Sequence, residues 1–363
     1  MIYSDTIIFG ILAAILGILF FLRQRGGVWD KVFTFVPIIL LAYLIPSLLV
    51  SFGVIDASES NLWTIAKDYF LTAALVLLTL SIDLRGILGL GPKALIMFFT
   101  ATLGIIIGGP IALWIVAQFE PSIIAGQGAD AAWRGFATLA GSWIGGGANQ
   151  TAMLEVYGYN IEQYGAMVAV DIVVANIWMA FLLYGAGMHE RIDRWLGADA
   201  SAIARLRDSM ADYSAQVEKV PSANELIVLT GFTFGAVAFA HWSAGWLSYY
   251  FTSALGAEAV LASEFFWVVV MATTIGLAAS FTKARELEGI GASKIGTVFI
   301  FLLVAVIGTK MDIFQLGDAP LFMAVGLIWM TIHSVLLLTV AKIVKAPFFF
   351  VAVGSKANVG GAA

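Results

Sequence analysis

Two glycine-rich segments hold the polar groups of this chain that are best placed to bind a solute or an ion. The first is Gly141-Ser-Trp-Ile-Gly-Gly-Gly-Ala-Asn-Gln-Thr151, and the second is Gly354-Ser-Lys-Ala-Asn-Val-Gly-Gly-Ala-Ala363. Their amide, hydroxyl and exposed carbonyl oxygens suit a hard cation such as Na⁺, whereas the N-terminal ends of half-helices favour anionic groups. Close helix packing is the structural alternative, because small residues four apart also let helices approach one another.

The polar residues in and around these segments are the predicted binding residues. The predicted solute contacts come from the two glycine tips and their neighbours: Ser142, Gly146, Gly147, Asn149, Gln150, Ser355, Lys356 and Asn358. The predicted ion ligands carry side-chain oxygens, and Na⁺ would bind the first three of them: Asn149, Thr151, Asp171 and Asn176. Lys356 could pair with a solute carboxylate or with Asp171 in an empty site, or it could extend to the membrane interface.

Asp171 is an ionisable residue about seven positions into the apolar run 164–187. A charged side chain inside a membrane span costs roughly 2.5–3.5 kcal/mol on insertion scales, so it is read as functional by default. We predict that Asp171 binds Na⁺ or carries a proton. The alternative is a carboxylate near the membrane surface that a neighbouring helix satisfies. His333, in the middle of the run 319–341, is interpreted as a histidine satisfied between helices rather than a proton relay.

The composition indicates an all-α polytopic membrane protein. Hydrophobic residues make up 61% of the 363 residues and charged residues 12%, compared with roughly 25% charged residues in soluble domains. Nine apolar runs approach the roughly 20 residues that cross a bilayer, and they cover 5–22, 32–54, 65–82, 94–118, 164–187, 224–250, 264–282, 295–309 and 319–341. The absence of cysteine excludes disulfides, thiolate metal sites and thiol catalysis.

The basic residues predict the orientation of the chain. Most of the 19 Lys and Arg lie in five connections, whereas the other connections are acidic or nearly uncharged. The positive-inside rule places the basic connections in the cytoplasm and hence the N-terminus outside. The basic connection 188–223 would lie outside if both 135–156 and 164–187 crossed the membrane. Segment 135–156 is therefore predicted to dip in and return as a re-entrant hairpin, with its three consecutive glycines at the tip.

The same charge pattern gives the two halves of the chain opposite orientations. Segment 81–91 also matches 308–318 in pattern. We therefore predict two inverted-topology repeats of about five transmembrane helices each, joined by a cytoplasmic amphipathic connector. The predicted boundaries are 1–187 for the first repeat, 188–223 for the connector and 224–363 for the second repeat, whose own hairpin or broken helix starts at about 347. By symmetry, a return arm and one further span are expected after Ala363.

The two glycine motifs, 141–153 and 354–363, resemble those of a bacterial family of membrane proteins, the domain of unknown function 819 family. That family is similar, at a distance, to the sodium/glutamate, 2-hydroxycarboxylate and bile-acid/sodium symporters and to cation/proton antiporters. The resemblance spans essentially all of the chain. It implies an elevator-type secondary transporter with inverted repeats, located in the bacterial cytoplasmic (inner) membrane and forming a homodimer through its scaffold domain.

The function predicted from these observations is secondary active transport of a small organic solute. The solute would be an organic anion, an amino acid or a short peptide, and Na⁺ or H⁺ would be the coupling ion. The alternative within transport is a cation/proton antiporter without an organic substrate, in which Asp171 exchanges the ions. A channel or a purely structural protein is a further alternative. Neither an enzyme nor a nucleic-acid-binding protein is expected, and no cofactor is expected besides the coupling ion.

Overall fold

All nine apolar runs form helices in the computed structural model, which describes residues 1–82, 89, 91–198, 221–257, 259–311 and 319–359. The first half holds α1 (Asp5–Arg25), α2 (Val28–Phe35), α3 (Ile38–Ser51), α4 (Leu62–Ile65), α5 (Thr72–Leu80), α6 (Pro92–Ala117), α7 (Ala132–Gly145), α8 (Gly147–Tyr157) and α9 (Tyr164–Gly187). The short helix α10 (His189–Leu196) lies in the predicted connector, and the second half holds α11 (Ala223–Leu255), α12 (Glu264–Ala279), α13 (Ala292–Gly308), α14 (Ala319–Val344) and α15 (Phe348–Asn358). A π-helical turn, Ala66–Leu71, joins α4 to α5.

Six helical stretches of the described chain are long and apolar enough to cross a membrane, or seven if α12 and the bent segment after it form one span. The six are α1, Leu62–Leu80, α6, α9, α11 and α14. The predicted run 32–54 is divided into α2 and α3, because Pro37 disfavours helical geometry at the residue before it. The protein is thus an all-helical polytopic membrane protein, with fewer full-length spans than the nine predicted.

The first glycine segment forms a helical hairpin from α7 and α8. Gly146 links the two helices with φ 83° and ψ −176°, a backbone conformation open almost only to glycine. The arms are so close that a Cβ at Gly141 would lie 2.7 Å from Cγ of Met153. At the opposite end, the rings of Trp133 and Tyr157 are 5.7 Å apart. The chain therefore returns to where the hairpin began, with the turn at the predicted glycines.

The hairpin and α15 approach the middle of α9 from its two opposite ends. Near the N-terminal end of α9, a Cβ at Gly135 of α7 would lie 2.6 Å from Cε of Met167. Near the C-terminal end, Gly185 is in tight contact with the ring of Phe348, the first residue of α15. The far ends of α7 and α15 consequently meet along the central turns of α9.

The described helices pack as two bundles. The first bundle consists of α1–α5 and α11–α13, and the second consists of α6–α10 and α14–α15. Each half of the chain thus contributes its earlier helices to one bundle and its later helices to the other. The main contacts between the bundles come from α8, which packs against α12 and the π-helical turn. An ion pair at 3.1 Å between Lys67 of that turn and Glu155 of α8 also joins the bundles.

Loops that the charge pattern assigns to one side of the membrane contact each other. Nζ of Lys93 donates a hydrogen bond to the carbonyl of Lys345, both in predicted cytoplasmic connections, at 2.8 Å. Nζ of Lys310 donates to the carbonyl of Ala57, in a predicted outside loop, at 2.6 Å. Three sequence-based predictions concern segments wholly or largely outside the described residues: the amphipathic helix of the connector, the match between 81–91 and 308–318, and the second glycine tip.

We predict that Gly146→Ala destabilises the protein by about 1–3 kcal/mol, because alanine must adopt a backbone conformation that is strained for any residue with a Cβ. Gly147→Ala is the matched control, since no atom lies within 4 Å of the position that its new methyl group would take. Alanine favours helix over glycine by up to about 1 kcal/mol, so this variant should be no less stable than the parent. Thermal unfolding in detergent measures both, and equal losses in the two variants would contradict the strained turn.

Candidate functional site

Asp171 lies where the tip of the hairpin contacts α9, and two hydrogen bonds hold its carboxylate. Oγ of Ser142 donates to Oδ2 at 2.6 Å, and Nε1 of Trp143 donates to Oδ1 at 2.8 Å. Both donors belong to the last turn of α7, directly before the turn at Gly146. The predicted functional carboxylate and the predicted Ser142 are therefore in contact, and the hairpin orients the carboxylate.

A cavity of about 150 Å³ opens beside this carboxylate, at the boundary of the two bundles. The hairpin, α9 and the end of α15 form one wall, and α3 with the residue before it forms the other. The lining residues are Pro37, Ile39, Tyr43, Ser142, Gly147, Gln150, Val168, Asp171, Ile172, Ala175, Asn176, Met179, Lys356 and Val359. Polar groups of both glycine segments thus converge on one small, mostly apolar space, which is the usual form of a small-molecule site.

Six of the predicted site residues line this cavity. They are Ser142, Gly147, Gln150, Asp171, Asn176 and Lys356. Asn176 donates its amide N–H to the carbonyl of Ile172 at 2.7 Å. The structure therefore brings together at one place residues that are more than 200 positions apart in the sequence.

Three predicted residues of the first segment do not line the cavity: Gly146, Asn149 and Thr151. The side chain of Asn149 packs against Gly145 inside the hairpin, and Oγ1 of Thr151 donates to the carbonyl of Gly147 at 3.0 Å. The reason is helical periodicity, since residues three apart share a face and their immediate neighbours do not. The predicted Na⁺ ligands are consequently divided between the hairpin interior and, for Asp171, the cavity.

Ser355 of the second segment faces the packing between helices and not the cavity. Nε1 of Trp178 donates to Oγ of Ser355 at 2.8 Å, and that oxygen lies 2.9 Å from Nε2 of His333. Nδ1 of His333 lies 3.1 Å from the carbonyl of Ala101, to which it donates. Nε2 then accepts from Ser355 in the neutral imidazole. His333 is thus satisfied between helices, as the sequence indicated.

Asn358 is likewise buried in packing. Oδ1 of Asn358 accepts a hydrogen bond from Oγ1 of Thr102 at 2.7 Å, and its amide nitrogen donates to the carbonyl of Gly354 at 2.9 Å. The first bond fastens α15 to α6, the second lies within α15, and together they engage both ends of the amide. Of the three polar side chains predicted on the second segment, only that of Lys356 reaches the cavity.

Three buried polar atoms near the cavity lack a hydrogen bond of normal geometry: Nε2 of Gln150 and the hydroxyls of Tyr43 and Tyr164. Gln150 and Tyr43 are each only 2% exposed, and both line the cavity. The Tyr164 hydroxyl lies near those of Tyr43 and Thr151. Leaving a buried polar group unsatisfied costs about 1–3 kcal/mol, so these groups are typical of a site that takes up a polar ligand.

Sequence reasoning missed the aromatic members of this site. Tyr43, Trp143 and Tyr164 were not among the predicted residues, although each carries a polar atom within or next to an apolar segment. A buried Tyr or Trp usually needs a hydrogen-bond partner, and this requirement was the signal that could have identified them. Trp143 is an example of this requirement, because its indole N–H donates one of the two hydrogen bonds to Asp171.

The predicted pairing of Lys356 with Asp171 gives way to other bonds of the carboxylate in this structure. Both residues line the cavity, but the carboxylate oxygens of Asp171 are bonded to Ser142 and Trp143. No group of three or more His, Asp or Glu that could hold a metal ion occurs among the described residues. The cavity therefore presents one carboxylate, held by the hairpin, and one ammonium from the second glycine segment.

The fold and this cavity define a polytopic membrane protein with a polar site at the boundary of two helical bundles. A family model described as "Protein of unknown function (DUF819)" matches residues 10–363, and the chain belongs to this family. Searches of curated proteins and of solved structures find no match.

We predict that Asp171→Asn is about as stable as the parent, because an Asn oxygen can still accept from Trp143 while its amide donates to Ser142 and the buried charge is removed. Asp171→Ala should lose about 1–3 kcal/mol, since it leaves the indole N–H of Trp143 without a partner. Asn176→Ala, on the same helix and cavity, is the control and should change little. Thermal unfolding in detergent measures all three. An equal loss for Asp171→Asn and Asp171→Ala would show that the negative charge itself is required, as in an ion pair with Lys356.

Proposed function

We propose that this protein is a secondary active transporter of a small organic solute, working by an elevator-type mechanism with Na⁺ or H⁺ as the coupling ion. The observation that carries the proposal is the convergence of both glycine segments on one polar cavity. Irregular backbone at membrane depth is tolerated where it is covered by protein or lines a cavity. Two such breaks, one in each half of a chain, are typical of transporter binding sites.

The opposite approach of the two segments supports inverted repeats. α7 reaches the cavity from the N-terminal end of α9, and α15 reaches it from the C-terminal end. In a membrane, the two segments would then enter from opposite sides, as repeats of inverted topology require. Both halves of the chain also contribute their earlier helices to the first bundle and their later helices to the second, as repeats would. The protein would lie in the cytoplasmic membrane with its N-terminus outside and would form a homodimer through the first bundle.

The division into bundles supports a sliding mechanism. In this proposal the second bundle carries the hairpin, α9, α15 and nearly the whole site. The first bundle contributes only the wall formed by Pro37, Ile39 and Tyr43. Movement of the second bundle along the first would expose the cavity to alternate sides. Such a movement must break the ion pair between Lys67 and Glu155, which is partly exposed and therefore costs little to separate.

Asp171 is the proposed coupling residue. It is a carboxylate on a membrane-spanning helix, it lines the cavity, and its hydrogen bonds fix it against the hairpin tip. Binding a proton or Na⁺ at this position would change the charge of the site that the solute meets. The occupancy of the solute site and that of the ion site would then be coupled, which is the requirement for gradient-driven transport.

The proposal predicts gradient-driven uptake in proteoliposomes. Purified protein is reconstituted and offered a mixed pool of amino acids, mono- and dicarboxylates and dipeptides under an imposed Na⁺ or pH gradient. Mass spectrometry then measures the contents of the vesicles. One class of solute should accumulate above its outside concentration, and Asp171→Asn should reduce this gradient-driven accumulation at least tenfold.

Protein-free liposomes are the control for leak, and Glu190→Gln, an acid-to-amide change at an exposed residue outside the cavity, is the control for reconstitution. Equilibration of solutes at the same rate with and without a gradient would indicate a channel. Exchange of Na⁺ for H⁺ without movement of any solute would indicate the antiporter. Either result, or full gradient-driven uptake by Asp171→Asn, contradicts the proposed mechanism.

A further inference from the structure

We infer that the cavity binds a small neutral α-amino acid as a zwitterion, with the ammonium of the solute at Asp171 and its carboxylate at Lys356. This inference rests on the proposed function and narrows its solute from the three classes named above to one. The observations behind it are the two opposite charges of the lining, their separation, the size of the cavity and its unsatisfied polar groups.

Asp171 and Lys356 are the two charged side chains among the described lining residues. Their signs are opposite, and the carboxylate of Asp171 is held on the hairpin side by Ser142 and Trp143. A solute with one charge of each sign complements both groups in a mostly apolar space. A dicarboxylate, by contrast, would bring a second negative charge next to Asp171, and like charges in a site are costly.

The positions of Asp171 and Lys356 beside α9 indicate a separation that an α-amino acid can bridge. The hydrogen bond between Ser355 and Trp178 fixes the last turns of α15 beside α9, and Lys356 follows directly. Trp178 is seven residues after Asp171, or about 10 Å along the helix axis. An α-amino acid bound by a charged hydrogen bond at each end spans roughly 8–9 Å from the acidic to the basic partner. The flexible lysine side chain can adjust the remaining difference.

The size of the cavity limits the solute to a small amino acid. A protein cavity of roughly this volume, about 150 Å³, binds benzene, which has about six non-hydrogen atoms. Alanine has the same number of non-hydrogen atoms, and a dipeptide has about twice as many. The apolar lining includes Ile39 on the wall formed by α3 and Val168 and Met179 on α9, and it suits a short uncharged side chain.

Tyr43 and Gln150 supply hydrogen bonds that such a solute would use. Both side chains are almost fully buried, both line the cavity, and the Tyr43 hydroxyl and Nε2 of Gln150 have no normal hydrogen bond. Each can donate to a carboxylate oxygen, and the Tyr43 hydroxyl can also accept from an ammonium. A zwitterion therefore satisfies polar groups that the protein alone leaves unsatisfied.

The test measures binding of four matched compounds to the full-length chain in nanodiscs by calorimetry. L-Alanine carries both charges, N-acetyl-L-alanine only the negative one, L-alaninamide only the positive one, and succinate two negative ones. The parent should bind L-alanine at least tenfold more tightly than any of the other three. Asp171→Asn should bind L-alanine at least tenfold more weakly but keep its affinity for N-acetyl-L-alanine. Lys356→Gln should also bind L-alanine at least tenfold more weakly but keep its affinity for L-alaninamide.

Lys283→Gln, at an exposed lysine that does not line the cavity, is the control and should leave the four affinities unchanged. Parent-like binding of L-alanine by both charge variants would overturn the inference, as would tighter binding of succinate or no binding of L-alanine. The outcome is separable from that of the uptake experiment. Gradient-driven uptake of a dicarboxylate would contradict the inference of a zwitterionic solute but support the proposed transport function. Tight binding of L-alanine without any uptake would support the inference of a zwitterionic solute but contradict the proposed transport function.

Discussion

The rest of the structure depends on the two hydrogen bonds that Ser142 and Trp143 donate to Asp171. A carboxylate inside an apolar helix must have partners, because an unsatisfied buried charge is costly. Here the partners come from the last turn before the glycine turn, so satisfying the carboxylate also presses the hairpin tip against α9. Two turns further along α9, the bond between Trp178 and Ser355 does the same for α15. One helix thus supports both interrupted segments.

This arrangement places the polar cavity at the boundary that moves in the proposed mechanism. The groups that hold the hairpin and α15 all lie within the second bundle, whereas contacts between the bundles come mainly from α8 and from the partly exposed pair of Lys67 and Glu155. Buried contacts within one bundle are expensive to break, and a single partly exposed ion pair is not. In the proposed mechanism, the second bundle would therefore move as a unit and keep the geometry around Asp171.

The sequence was sufficient to predict the first hairpin and to single out Asp171, which the structure places at the hairpin tip, because both leave local signals. Consecutive glycines mark a turn, the charge pattern requires a return to the same side, and a lone carboxylate stands out in an apolar run. The directions of side chains in α8 and α15 could not be predicted in this way. Asn149, Thr151, Ser355 and Asn358 are as polar as Gln150, and only the packing of several helices decides which of them face the cavity.

The contribution of the first bundle was also beyond sequence reasoning. Tyr43 comes from a helix more than 100 positions before Asp171, and no periodicity connects the two. The place of Tyr43 in the cavity follows from the way α3 packs. The break at Pro37, by contrast, has a local cause, since proline disfavours helical geometry at the residue before it. Local composition predicts which segments enter the membrane, whereas the boundary between bundles is a property of the assembled fold.

The most direct test of sliding bundles is a reversible cross-link across their boundary. The chain has no native cysteine, so Lys67→Cys combined with Glu155→Cys can be joined by a short bifunctional methanethiosulfonate reagent. We predict that the cross-link abolishes gradient-driven uptake and that reductant restores it. The same reagent on Lys93→Cys with Lys345→Cys, both in the second bundle, should leave uptake intact. Undiminished uptake by the protein cross-linked between 67 and 155 would contradict the sliding mechanism.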